Sequence, residues 1–184
     1  MPEGHLVTAE ELELMGERGH LFELVRGELV PVNPPGGEPG ELAAIIAAEL
    51  LAYVRPRGLG RVYVESGFVL SRGPDTVRGP DVSFVSRERE AAAGLRRGFL
   101  LAAPDLAVEI WSPDNSMPSL RAKTREYLAA GTRRVWLVDP RRRLVEVHTP
   151  GRPVTTLATG DTLHGDDVVP GFALPLSRLF AVLD

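Results

Sequence analysis

Apolar positions along the chain fall into two periodicities, and the stretches where they change divide it into elements. Glu41–Val54 places Leu42, Ile45, Ile46, Leu50 and Tyr53 at helical spacing among alanines, and predicts a helix stopped by Pro56 and Gly58. Thr8 followed by Glu11 is a capping-box pattern for a short acidic helix over about Ala9–Glu17. Phe22–Val25 and Glu28–Val32 alternate about Arg26-Gly27 and predict a tight hairpin. Asn33–Gly40 reads as a Pro/Gly loop, and Val62–Leu70 as one strand with Gly67 as a possible bulge. A polar turn over Ser71–Arg78 leads to a strand over Pro80–Val85, then to a charged loop or short helix over Arg87–Arg97. Leu144–His148 and Val154–Leu157 form a last hairpin, and Leu176–Phe180 a terminal helical turn.

The most informative stretch is Asp105–Tyr127. Leu106–Trp111 is a continuous apolar run, which reads as a strand buried on both faces, broken by the single carboxylate of Glu109. Ser112-Pro113-Asp114-Asn115 is a turn, and a helix over about Met117–Ala130 ends at Gly131 before a strand over Arg134–Val138. Strand, helix and strand with short links predict a βαβ crossover with parallel strands. The whole reads as one mixed α/β domain, 1–184, with a sheet that is antiparallel early and parallel at its centre.

Charge sharpens this reading. An ionised Glu109 on a buried strand needs a cation beside it, either a metal ion or a lysine. Of 21 basic residues only Lys123 is a lysine, and Leu120, Lys123 and Tyr127 share one helical stripe, so Lys123 faces the sheet. A lysine snorkelling at the edge of an apolar face would show the same spacing. Asp81, after Pro80, is a second strand carboxylate. Asp105 lies on the same face of the strand as Glu109 but about 13 Å away, whereas a cross-strand neighbour comes within about 5 Å. Asp81 is therefore the better partner, and Asp105 supplies polarity where the strand begins. Asp81, Glu109 and the Ile110 carbonyl would suffice for Mg²⁺, which takes hard oxygen ligands. Tyr127 could reach the same place or be core, Arg78 could meet a phosphate or form a salt bridge, and Asp139 caps a turn at Pro140.

Composition excludes more than it identifies. Without cysteine there are neither disulfides nor thiolate metal sites, and there is no 18-residue apolar span and no signal-peptide pattern. A cytoplasmic protein with no membrane contact is the expectation. The net charge of −4 argues against a polyanion partner. Yet residues 1–50 carry a net −8 and residues 121–143 a net +6, an asymmetry that a phosphate-facing surface and an Arg-rich solvated face would both produce.

R-G-P-D-V (78–82), A-V-E-I-W-S-P (107–113) and K…E-Y-L-A-A-G…V-W-L-V-D-P (123–140) resemble the Uma-two family, which is similar to the PD-(D/E)XK restriction-endonuclease-like superfamily. F-E-L-V-R-G-E-L (22–29) and V-V-P-G-F-A-L-P-L-S-R-L-F (168–180) extend the likeness over nearly the whole chain. The resemblance implies a restriction-endonuclease-like core, a site for Mg²⁺ or Mn²⁺ at Asp81 and Glu109 with Lys123 as its cation, and DNA as partner. It is also compatible with a homodimer. It implies an assisting acid near the N-terminus, for which Glu23 matches best and Glu28 second, with pairing to Arg26 or Arg78 as the alternative. Two departures stand out. The position two residues after the glutamate, where the superfamily carries its lysine, is Trp111. Glu38-Pro39-Gly40 stand where many relatives place a histidine, which leaves a catalytically inactive binding module as the competing reading.

Overall fold

The computed structural model describes residues 5–34, 36–93, 98–113 and 115–184. It is a mixed α/β fold with three sheets among the described residues, the smallest a two-stranded ribbon near the C-terminus. The central sheet orders Thr155–Ala158, Leu144–His148, Arg134–Asp139, Leu106–Ile110, Val82–Ser86 and Gly60–Val64, and a four-stranded one orders Glu28–Pro31, Phe22–Val25, Thr76–Arg78 and Phe68–Ser71. Its elements are α1 (Ala9–Leu14), β1 (Phe22–Val25), β2 (Glu28–Pro31), α2 (Gly37–Arg57), β3 (Gly60–Val64), β4 (Phe68–Ser71), β5 (Thr76–Arg78) and β6 (Val82–Ser86). There follow α3 (Arg87–Ala93), β7 (Leu106–Ile110), α4 (Met117–Ala129), β8 (Arg134–Asp139), β9 (Leu144–His148), β10 (Thr155–Ala158), β11 (Thr162–His164), β12 (Ala173–Pro175) and α5 (Leu176–Phe180).

The β7–α4–β8 unit is as the apolar pattern predicts. Every residue of β7 is buried, and it pairs parallel with β8 through Val108↔Trp136 and Glu109↔Leu137. Both faces are covered because alternate residues serve different cores. Leu106, Val108, Ile110, Trp136 and Val138 pack with Leu42, Ile46 and Leu50 of α2, and Ala107 and Val135 pack with Tyr127 of α4. The Ser116 hydroxyl accepts from the Ser119 N–H and caps α4. The capping box at Thr8–Glu11 is present, and Arg26 and Gly27 both adopt positive φ, 51° and 83°, as a two-residue hairpin turn requires. Asp114, in the turn before α4, and Gly94–Arg97, in the charged segment after β6, lie outside the described residues.

Several expectations need correction. The Pro/Gly loop gives way at Gly37 to α2, which tolerates Pro39 because first-turn N–H groups have no intrahelical acceptor. The same helix passes through Pro56 in its last turn and stops at the left-handed Gly58, φ 61°. The acidic helix ends at Leu14, and Gly16 at φ 58° opens a 3₁₀ segment, Gly16–Leu21. The run 62–70 is two strands in different sheets, split at Glu65, whose φ of 47° turns the chain out of one sheet towards the other. Gly67 is no bulge; a side chain there would collide with the ring of Phe99, whose segment lies along β4 through Leu100 N–H to Gly67 O (2.9 Å) and Val69 N–H to Leu100 O (2.8 Å). Lastly, the polar turn 71–78 ends in the buried strand β5. Its polarity is satisfied internally, with Asp75 accepting from Ala9 N–H at 2.9 Å and from Arg72 at 2.7 Å.

Candidate metal and phosphate site

The site lies where the two larger sheets meet the carboxyl end of β7. Strand β6 runs antiparallel to β7 with Val82 opposite Val108, so one further step of the register sets Asp81 against Glu109. Beyond the end of β6 the ladder donor of Ile110 has no strand carbonyl to meet. Asp81 Oδ2 takes it instead, at 2.6 Å. From α4, one turn apart on the same stripe, Lys123 and Tyr127 reach Glu109. The Lys123 ammonium lies 2.9 Å from Oε1 and 3.0 Å from Oε2, and the Tyr127 hydroxyl donates to Oε1 at 2.8 Å.

The four-stranded sheet brings the fourth predicted residue. Glu23, on β1, accepts from Lys123 at 2.8 Å, from Arg78 Nη1 at 2.7 Å and from Gly79 N–H at 2.9 Å. Asp81, Glu109, Lys123 and Glu23 are thus brought together, and Glu109 meets Lys123 as the residue types suggested, whereas Ile110 meets Asp81 through its N–H and not through the carbonyl proposed as a metal ligand. Glu28 is exposed and takes no part. Asp105 is buried at the opposite end of β7, accepting from Ser86 N–H at 2.7 Å and pairing with Arg89 at 3.2 Å. Asp139 accepts from Arg142 N–H at 3.0 Å and closes the turn after β8.

Sequence reasoning missed one member. Glu126 accepts from Arg78 Nε at 2.7 Å, so Arg78 bridges two carboxylates and is buried. The available signal was its place on α4, three residues after Lys123 and so on a neighbouring stripe.

Electrostatically the site is short of positive charge. Four carboxylates (Glu23, Asp81, Glu109, Glu126) face two cations, Arg78 and Lys123. Burial pushes Glu109 up to about 7; Lys123 opposes this, while the charges of Asp81 and Glu23 add to it. Burial also raises Asp81, against the Ile110 N–H and Lys123. Burial works against ionising Glu23 too, yet Lys123 and Arg78 hold it below the usual carboxylate range. Lys123 is raised despite its burial, because Glu109 and Glu23 favour the ammonium. Carboxylates crowded together and held up in this way are what a divalent cation relieves.

Among the described residues no group of three or more His, Asp or Glu side chains stands ready-spaced around a metal position. By chemistry the donors still fit one. Asp81, directly before β6, and Glu109, on β7, offer hard oxygens, Ile110 follows in the chain, and the local excess of negative charge matches an ion such as Mg²⁺. These groups open into a cleft of about 1050 Å³, also lined by Tyr63, Phe99 and Ser119. No helix of the described residues is long and apolar enough to cross a membrane.

The fold has a solved counterpart. A nuclease, described as putative, of the DUF820 group from Anabaena variabilis ATCC 29413 superposes with a TM-score of 0.83 over 97% of this chain and 99% of its own, at 22% identity. No curated protein matches the sequence. Residues 9–177, from α1 to α5, match the family whose description is "Putative restriction endonuclease", so the chain belongs to the Uma2 family.

Proposed function

We propose that this protein is a Mg²⁺-dependent endonuclease that hydrolyses phosphodiester bonds of DNA. The observation that carries the reading is the convergence of Glu23 from β1, Asp81 from the segment before β6, Glu109 from β7 and the chain's only lysine from α4 on one cleft. Asp81 and Glu109, with the Ile110 carbonyl, are the groups that would hold Mg²⁺ or Mn²⁺. Such an ion supplies a Lewis acid for the phosphoryl oxygen and a more acidic water. Lys123 donates to a phosphate oxygen or to the attacking water and offsets charge as it builds there. Glu23, itself held by Arg78, fixes the ammonium, and Tyr127 fixes the Glu109 carboxylate (2.8 Å). Membership of a restriction-endonuclease family supports nucleic acid as the substrate class.

One observation favours a second reading, an inactive binding module. Lys123 already meets Glu23, Glu109 and the Gly79 carbonyl (3.3 Å), so its donors are engaged within the protein. Calorimetric titration of Mg²⁺ and Mn²⁺ into wild type and Asp81→Asn, beside a plasmid-nicking assay, separates the two. The endonuclease reading expects metal binding and nicking, both lost in Asp81→Asn. Binding without nicking in either metal selects the inactive module, and a wild type that takes up no metal sinks the enzyme.

A further inference from the structure

A polyanion entering this cleft meets an acidic wall. Glu13, Glu23, Glu65, Asp81, Glu90 and Glu109 line it, and its cations Arg78 and Lys123 are both engaged by carboxylates. Even with one divalent ion bound, a phosphate backbone needs further cations close to the cleft. The basic stretch 121–143 was the expected source, but the fold scatters it. Arg121 pairs with Glu146, Arg133 with Asp167, Arg134 with Asp166 and Arg143 with Asp184, each at 2.6–2.7 Å. Of the rest, Arg125 is two residues past Lys123 on α4, so it points to the other side of the helix and is exposed.

Arg141 differs from all of these. It has no ion pair among the described residues, and its guanidinium carbon lies 4.4 Å over the ring of Trp111. A guanidinium stacked by its face keeps its in-plane N–H donors free, the edge that meets a phosphate bidentately. Its mount is rigid. Arg143 N–H donates to the Pro140 carbonyl at 3.2 Å and Arg142 N–H to Asp139 Oδ1 at 3.0 Å, closing the turn that carries Arg141. Trp111 N–H donates to the Val138 carbonyl at 2.8 Å, tying the ring's backbone to the same strand.

Topology puts this pair beside the site. β7 and β8 are parallel, so Trp111 and Pro140 leave the sheet at one edge. β6 is antiparallel to β7, so Asp81 enters at that same edge. Trp111 is two residues beyond Glu109 and directly after Ile110. We infer that Arg141, stacked on Trp111, is a contact for the nucleic-acid backbone, binding a phosphate that flanks the one held at Asp81 and Glu109. The inference rests on the nucleic-acid reading above.

Removing one phosphate contact lowers the slope of log affinity against log salt by about 0.9 on duplex DNA. The test measures binding of a fluorescein-labelled DNA duplex to the full chain in Ca²⁺ between 50 and 200 mM NaCl, with a gel to monitor cutting. Arg141→Gln is expected to lose about 0.9 of slope while Mg²⁺ calorimetry stays as in wild type, and Arg141→Lys to recover most of the slope. Trp136, the other tryptophan, is wholly buried, so a DNA-dependent change in indole emission that vanishes in Trp111→Phe reports the stacked pair. Equal slopes for wild type and Arg141→Gln overturn the inference even if wild type cuts DNA, leaving the nuclease reading intact. A lost slope in a protein that never cuts keeps the inference and removes the nuclease. No binding of DNA by wild type overturns both.

Discussion

Lys123 sets its ammonium against both oxygens of Glu109, at 2.9 and 3.0 Å, and so occupies the carboxylate a metal ion would use. Lysine and metal are therefore competitors for Glu109 as well as partners in the proposed hydrolysis. Lys123→Met leaves Glu23 and Glu109 without their shared cation, and truncating one side of a buried pair costs about 3–5 kcal/mol. The metal-free variant should melt well below wild type. Mn²⁺ should raise its melting temperature by more than it raises that of wild type, because the ion no longer displaces an ammonium, while nicking is lost. A variant that Mn²⁺ does not rescue would show that Lys123 and Glu109 form a structural pair only.

Glu109 also makes a prediction about pH. Its carboxyl is raised from 4.5 to about 7, so the metal-free protein holds it protonated below that pH and ionised against Lys123 above it. The stability this contributes is fully present below pH 4.5 and is lost as pH rises through 7, a change of about 3 kcal/mol at roughly 1.4 kcal/mol per unit. Asp81, also raised, acts in the same direction. Urea unfolding without metal should show stability falling from pH 5 to pH 8, and Glu109→Gln should flatten that slope. Metal uptake carries the opposite sign. The ion takes the carboxylate, so Mg²⁺ should bind about tenfold more tightly at pH 8 than at pH 6, with proton release seen as a dependence of the calorimetric heat on buffer. Affinity that is level across this range would remove Glu109 from the metal site.

What could be read from the residues follows the range of the forces involved. The β7–α4–β8 unit, both hairpins and the capping box depend on neighbours a few positions apart, and each was legible. Lys123 and Glu109 were legible as a candidate pair because a lone lysine on an inward stripe and a lone carboxylate on a buried strand are each costly without a partner, while a metal ion stayed open as the alternative cation. The division of 62–70 was not, because Glu65 takes a left-handed φ that its side chain does not favour and only the two sheets enforce. Strand β5 hides behind Asp75, Thr76 and Arg78, polar residues whose partners Ala9, Arg72, Arg26, Glu23 and Glu126 come mostly from far along the chain. The basic cluster was a genuine feature of the sequence, but its acids at 146, 166, 167 and 184 lie outside the window in which it was counted.

Tyr127 allows the carboxylate to be tested apart from the cation. Its ring is wholly buried and its hydroxyl donates to Glu109 Oε1 at 2.8 Å. Burial first, then the charges of Glu109 and Glu23, push the phenol well above its ordinary value, so it stays a donor throughout the working range. Tyr127→Phe removes that donor while keeping the ring that packs on Ala107 and Val135. A hydrogen bond to a charged group contributes about 1.5–3 kcal/mol, and losing it disfavours the ionised carboxylate, so Glu109 should titrate higher still. The variant should therefore release more protons than wild type on binding Mg²⁺ at pH 7 and bind it more weakly there, with the deficit shrinking towards pH 9. A loss of affinity that persists undiminished at pH 9 would mean that Tyr127 shapes the site by packing and not through Glu109.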